Sequence, residues 1–222
     1  MRTSARVATA LTAVTLTIGA LTGCGTDGWE HSRPAPEPVG ALGEGFRPAS
    51  APAPESTINP VDGSWGEIAA GPGYRVALVR AGDSHETRTL VSAVQRWADQ
   101  EGVDLRIVDS DHDPDPIDGI VRAMNMKPDL VMSAGNALID PLATVTANHL
   151  NQHFLVLGAE VAEPTTNVTA VDWTGASFRG EGLGTPSEYD PATFTADRCA
   201  KAVRAGVAAV VSDLTGIVIW ID

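Results

Sequence analysis

The hydrophobic pattern changes character twice along the chain. Apolar residues run almost unbroken from Val7 to Ala20, scatter without period from Gly25 to about Gly73, and from Tyr74 onward recur in short blocks separated by amphipathic stretches. The blocks are Tyr74–Val79, Asp104–Val108, Asp129–Ser133, Phe154–Leu157, Val168–Val171 and the terminal GIVIWID, Gly216–Asp222. Blocks this short, rich in β-branched residues and lacking strict alternation, predict strands covered on both faces. The gaps carry apolar residues at helical spacing. These are Leu90, Val91, Val94, Trp97 and Ala98, then Ile117, Ile120, Val121 and Met124, then Leu142, Val145 and Leu150, and finally Cys199, Val203, Gly206, Val207 and Val210. Start signals agree: Asp83-Ser84-His85-Glu86 forms a capping box, Asp115-Pro116 and Asp140-Pro141 each pair a cap with a first-turn proline, and Thr195 caps the last helix. Gly102 is a stop. Strands alternating with helices predict a doubly wound, mostly parallel α/β sheet, with residues 74–222 forming one lobe.

The first apolar run means something different. Arg2 and Arg6 precede it, Leu21-Thr22-Gly23-Cys24 follows it, and it is shorter than the roughly 20 residues of a membrane span. The order matches a bacterial lipoprotein signal peptide over residues 1–23, with a lipobox that makes Cys24 the lipidation site and the mature N-terminus. Two acyl chains anchor stably where one does not, so the expected location is the extracytoplasmic face of the cell membrane. Residues 24–73 have no period, and Pro34, Pro36, Pro38, Pro48, Pro52, Pro54 and Pro60 recur among small and acidic residues, predicting a disordered tether. Trp29, Phe46 and Trp65 are isolated within it. With Cys24 acylated, Cys199 has no disulfide partner, and its helical face assigns it to the core.

Charge narrows the partners. The formal net charge is −13 at pH 7, which excludes a phosphate-binding basic surface and hence nucleic acid, and leaves lipid as the means of membrane attachment. In open parallel sheets ligands bind beyond the carboxyl ends of the strands. Those ends are Gly82-Asp83-Ser84, Asp109–Asp115, Ala134-Gly135-Asn136, Gly158-Ala159-Glu160 and Asp172-Trp173-Thr174. They form a rim that is acidic and almost free of cations in the sequence, suited to a hydroxyl-rich or cationic small molecule. Its candidate ligand-binding residues are Asp83, Ser84, Asn136, Glu160, Asp172 and Trp173. Asp109-Ser110-Asp111-His112-Asp113-Pro114 has the alternating acids of a calcium loop, but Pro114 and Ile120 stand where that loop needs Gly and a bidentate Glu. No metal or cofactor is expected. His85, His112, His149 and His153 have no spacing that links them to a nucleophile or a metal, so the chain is not expected to be an enzyme.

The run PDLVMSAGNALIDPLATVTANHLNQHFLVLGAE, followed by TNVTAVDWTGASFRGEGL, resembles the first lobe of the basic membrane protein (BMP) family of lipid-anchored substrate-binding proteins. The resemblance spans about residues 74–183. It implies one lobe of a type I periplasmic-binding fold, a small polar solute of the nucleoside kind, and an ABC transporter permease as partner. It implies that Asp83, in Gly82-Asp83-Ser84, accepts a solute hydroxyl. Asn136 stands where a base-stacking aromatic is common in the family, and Gly158-Ala159-Glu160 delays the acid that usually follows the fourth strand directly. After Gly184 a full member continues through a second lobe, whereas this chain has a loop, a helix and GIVIWID. The expectation is a half-clamshell whose terminal strand pairs into the single lobe.

Two functions of different class follow. One is a lipid-anchored solute-binding protein with convergent Asp83, Asn136 and Asp172; the other is an envelope protein-interaction domain displaying an exposed apolar patch around Trp173.

Overall fold

The computed structural model describes residues 28–222, so the signal segment and Cys24 lie outside the described residues. In chain order the elements are β1 (Val39–Gly40), β2 (Thr57–Ile58), β3 (Ile68–Ala69), β4 (Arg75–Arg80), α1 (His85–Glu101), β5 (Asp104–Asp109), α2 (Pro116–Asn125), β6 (Leu130–Ala134), α3 (Ile139–Thr146), β7 (His153–Leu157), β8 (Val168–Asp172), α4 (Ala196–Val210) and β9 (Val218–Trp220). Seven strands form one parallel sheet in the order β2-β9-β8-β7-β6-β4-β5. β4 has β5 on one side and β6 on the other, so the winding direction reverses between β4 and β6. The chain is a doubly wound α/β lobe.

The caps explain where the helices start. The Ser84 side chain accepts the Thr87 N–H and that of Thr195 accepts the Arg198 N–H; the Asp115 carboxylate accepts the Ile117 N–H with Pro116 in the first turn. Gly102 closes α1 in the left-handed conformation, φ 67°. Two starts differ from expectation. The cap of α1 is Ser84, one residue past Asp83 at the head of the expected box. A 3₁₀ turn, Asn136–Leu138, already supplies helical backbone, so α3 begins at Ile139 and Asp140 falls inside its first turn instead of capping it. The Asp140 carboxylate accepts the Glu181 N–H instead, at 3.2 Å. Leu150 and Val121, expected to face inward, are exposed, Leu150 because α3 has ended at Thr146.

Two apolar layers sandwich the sheet. α1 and α4 cover one face through Leu90, Val94, Trp97, Cys199, Val203 and Val207; the other face buries Ile120, Leu138, Ile139 and Leu142 from the α2–α3 side. α4 lies close on β7 and β8 because Gly206 has no side chain: a Cβ there would stand 2.6 Å from Leu155 Cδ1. Cys199 is buried in this layer, and burial pushes its thiol up to about 12.

Residues 28–73 depart most from the sequence reading. The segment expected as a disordered tether is packed against the lobe, and its isolated aromatics are the reason. Phe46 and Trp65 meet edge to face, ring centres 6.3 Å apart, and join the core on the α4 side. β1 pairs antiparallel with β3, and β2 adds a parallel edge strand to β9. Trp29, 3% exposed, docks at the amino ends of the strands: its Nε1 donates to Asp104 Oδ2 at 2.5 Å, and its ring lies 4.3 Å from the Arg106 guanidinium. Arg33 adds a hydrogen bond to the Gly73 carbonyl and an ion pair with Asp129 at 3.1 Å. The terminal strand behaves as expected on its other side, pairing β8 from Ala170↔Val218 to Asp172↔Trp220.

Candidate functional site

Two concavities lie along the carboxyl rim. The first is at the reversal point, where the chain leaves β4 as Ala81-Gly82-Asp83-Ser84 and leaves β6 as Gly135-Asn136-Ala137. These loops, with Leu90 beneath and Tyr189 and Phe194 alongside, enclose about 300 Å³. The close approach of the two loops depends on Gly135, which has φ 116° and would place a Cβ 2.1 Å from the Ala81 carbonyl oxygen. Asp83 is exposed at the mouth and pairs with Arg88 at 3.2 Å. The Ser84 hydroxyl lines the cavity while capping α1, and Asn136 contributes a half-buried amide.

One wall is aromatic. Phe194 and Tyr189 line it, their rings tilted and 6.1 Å apart, and Trp173, buried behind them, meets Phe194 edge to face at 4.9 Å. The Tyr189 hydroxyl donates to Glu86 Oε1 at 3.0 Å, which ties the loop after β8 to the start of α1. Burial, and then the Glu86 carboxylate, pushes the Tyr189 phenol up to about 12. Burial is the largest single influence on Glu86 and raises its carboxyl, but its own N–H, the Ser84 and Tyr189 hydroxyls and nearby His85 together hold it below the usual carboxylate range. The result is a small site with an apolar floor, one aromatic wall, an amide, and carboxylates at the mouth, chemistry that suits a ring-bearing polyhydroxyl solute.

The second concavity, about 760 Å³, is a groove at the β2–β9 edge of the rim, lined among others by Asn59, Glu160, Arg179, Leu183 and Trp220. Arg179 Nε lies 3.1 Å from Glu160 Oε2, an ion pair without hydrogen-bond alignment. Behind Glu160 sits Asp172, with no exposed surface. Its Oδ1 accepts the N–H groups of Trp173 and Ser177, both at 2.8 Å. Its Oδ2 has no hydrogen-bond partner among the described residues. Burial, reinforced by the neighbouring Glu160, raises the Asp172 carboxyl to about 7.

No protein-family model and no curated protein matches the chain. Solved structures do. An ABC transporter solute-binding protein from Aeropyrum pernix K1 matches with 18% identity over 46% of this chain and 29% of its own, TM-score 0.39. A fragment described as a lipoprotein from Peptoclostridium difficile 630 matches with 16% identity over 62% of this chain and 97% of its own, TM-score 0.45. A periplasmic ribose ABC transporter from Conexibacter woesei DSM 14684 matches with 14% identity over 68% of this chain and 55% of its own, TM-score 0.35. The chain thus spans less than a third of the Aeropyrum protein and just over half of the Conexibacter one.

The structure sorts the sequence-predicted residues into three places. Asp83, Ser84 and Asn136 converge on the reversal-point cavity, Glu160 lines the edge groove, and Asp172 and Trp173 line neither. Asp172 is a turn-holding core residue, because β8 is buried along its whole length. Trp173 is fully buried, donating its Nε1–H to Thr193 Oγ1 at 3.0 Å, so no exposed patch surrounds it. The rim is also less cation-poor than the strand-end segments suggest. Arg80 pairs with Asp109 and Asp111, Arg122 with Asp113, Arg88 with Asp83, and Arg179 with Glu160. These arginines sit at a strand end, in helices and in a loop, positions that a reading of strand ends alone leaves out. In the Asp109–Asp115 loop, Arg122 and Ser110 hold the Asp113 carboxyl below its ordinary range, and an N–H from Asp111, followed by Arg80, does the same for Asp109. Among the described residues no group of three or more His, Cys, Asp or Glu could hold a metal ion. Tyr189 and Phe194 are the site residues missed from sequence; their signal is an aromatic pair flanking Asp190-Pro191, in a loop without periodicity.

Proposed function

We propose that this chain is a lipid-anchored, extracytoplasmic solute-binding lipoprotein of the BMP type, holding a small polar ring-bearing solute such as a nucleoside in the reversal-point cavity. One observation carries the reading: at the strand-order reversal of a parallel sheet, where such folds take ligands, three rim residues chosen from sequence meet an aromatic wall around a cavity of about 300 Å³. We read the role as binding: the Ser84 hydroxyl is engaged with the Thr87 N–H, the Tyr189 hydroxyl with Glu86, and Asp83 stands exposed at the mouth, an arrangement that offers hydrogen bonds to a solute. The lipobox at Cys24 supports the anchor, and an ABC transporter permease is the partner that this role implies. The interaction-domain alternative loses its expected surface, because Trp173 is buried.

Calorimetry of the mature chain carrying Cys24→Ser, against nucleosides, sugars and polyamines, tests the reading. Asp83→Ala removes a charge-assisted hydrogen bond and costs about 1.5–3 kcal/mol of binding; Asn136→Ala costs about 1 kcal/mol, and both leave the unliganded melting temperature nearly unchanged. No heat from any solute class with an intact cavity abandons the binding role.

A further inference from the structure

We propose that the lobe is held close against the bilayer with the amino ends of its strands toward the membrane and its carboxyl rim turned away, because only three residues separate the acylated cysteine from the docked turn at Gly28–Trp29. The inference rests on the lipid-anchor reading above and adds an orientation to it.

The docked turn is a built contact. Trp29 is buried between Arg75 and Arg106, whose guanidinium carbons lie 5.8 Å and 4.3 Å from its ring centre, and its indole N–H is taken by Asp104. Arg75 donates to the carbonyl of His31 at 2.9 Å and to that of Gly28. Arg33 closes the far side on Gly73 and Asp129. Arg75 and Asp104 are the first residues of β4 and β5, and Asp129 immediately precedes β6. All of these contacts therefore lie at one end of the lobe, opposite the cavity.

Covalent geometry supplies the rest. Gly25, Thr26 and Asp27 are the residues between Cys24 and Gly28, and that length of chain, however it runs, reaches no further than about 14 Å. A free coil of about 49 residues, the tether expected from sequence, would average roughly 35–40 Å and let the lobe tumble. With the short leash, the end carrying Trp29 stays beside the headgroups while the acyl chains of Cys24 enter the bilayer. With the strands along the membrane normal, the rim stands further out by the length of the six-residue β4, about 20 Å.

The test uses the acylated full-length protein in vesicles of phosphatidylethanolamine and phosphatidylglycerol carrying a rhodamine headgroup as energy-transfer acceptor. A maleimide donor is placed on Gln100→Cys, exposed at the end of α1 beside the strand amino ends, or on Glu181→Cys, exposed at the rim. Cys199 stays unlabelled because it is buried and its thiol is pushed up to about 12. Transfer from position 100 should exceed that from position 181 several-fold. Inserting about ten Gly/Ser residues between Asp27 and Gly28, which leaves the docked turn untouched, should bring the two efficiencies together. Equal transfer without the insertion, in protein whose diacylglyceryl group is verified by mass spectrometry, overturns the orientation alone. So does an asymmetry that survives the insertion. Absence of the lipid from Cys24 overturns the orientation and the anchor together.

Discussion

Replacing Asp172 with Asn should remove a pH dependence of stability that this one carboxyl imposes. Asp172 is raised to about 7 by burial, with Glu160 adding to the effect, whereas in the unfolded chain an Asp titrates near 3.9. Between those values the folded chain binds a proton that the unfolded chain has released, so stability falls as pH rises through the window and levels off above it. From pH 5 to pH 8 the folded group crosses about two pH units in this mismatched condition, which amounts to at most about 2.7 kcal/mol. Glu86, Asp109 and Asp113 are shifted downward, so the stability they contribute is lost only as pH falls below the ordinary carboxylate range, outside the window. Asp172→Asn retains an oxygen to accept the Trp173 and Ser177 N–H groups and has no charge to bury. Urea denaturation of both proteins at pH 5, 6, 7 and 8 is the assay. The wild type should lose stability across the series while the variant stays level, equalling or exceeding the wild type at pH 8. A level wild type, or a variant with the wild-type slope, refutes the argument.

Deleting Ile217–Asp222 should unfold the lobe, since Ile217, Val218, Ile219 and Ile221 are buried, each such side chain contributes about 1.5–3 kcal/mol, and the total stability of a domain is about 5–15 kcal/mol. A cooperative thermal transition near the wild-type temperature would show β9 to be dispensable. Trp65→Ala should cost about 3–5 kcal/mol in urea denaturation, as for a core aromatic; a loss below about 1 kcal/mol would return residues 28–73 to the status of a tether.

The lobe was legible in the sequence because its signals were local. Asp115 and Thr195 cap the helices they were expected to cap, α1 starts on Ser84 one residue past the start of its expected Asp83-to-Glu86 box, and each apolar block became a strand. Residues 28–73 were illegible for a physical reason: Trp29 is buried alone against Asp104 and two arginines, while Phe46 and Trp65 meet each other from positions far apart in sequence, and such contacts leave no period. The two-residue strands β1, β2 and β3 are too short to show alternation. At the site, Asp83, Ser84 and Asn136 could be found because position after a parallel strand is itself a functional signal. Asp172 and Trp173 satisfied the same rule yet went inward, because the turn after β8 folds back over its own strand end through Ser177. The rule locates a backbone position and is silent on which way the side chain turns.

β2 has one strand neighbour in the sheet, and that neighbour is β9, some 160 residues later in sequence. As synthesis proceeds from the amino end, Thr57 and Ile58 emerge early and wait until Val218 and Ile219 follow before their pairing can form. Until then the α4 side of the core lacks Ile217, Ile219 and Ile221, which pack in the same cluster as Phe46 and Trp65. The stretch from Thr57 onward therefore stays without its finished edge until Val218 and Ile219 have been made, a condition that postpones commitment to the native state.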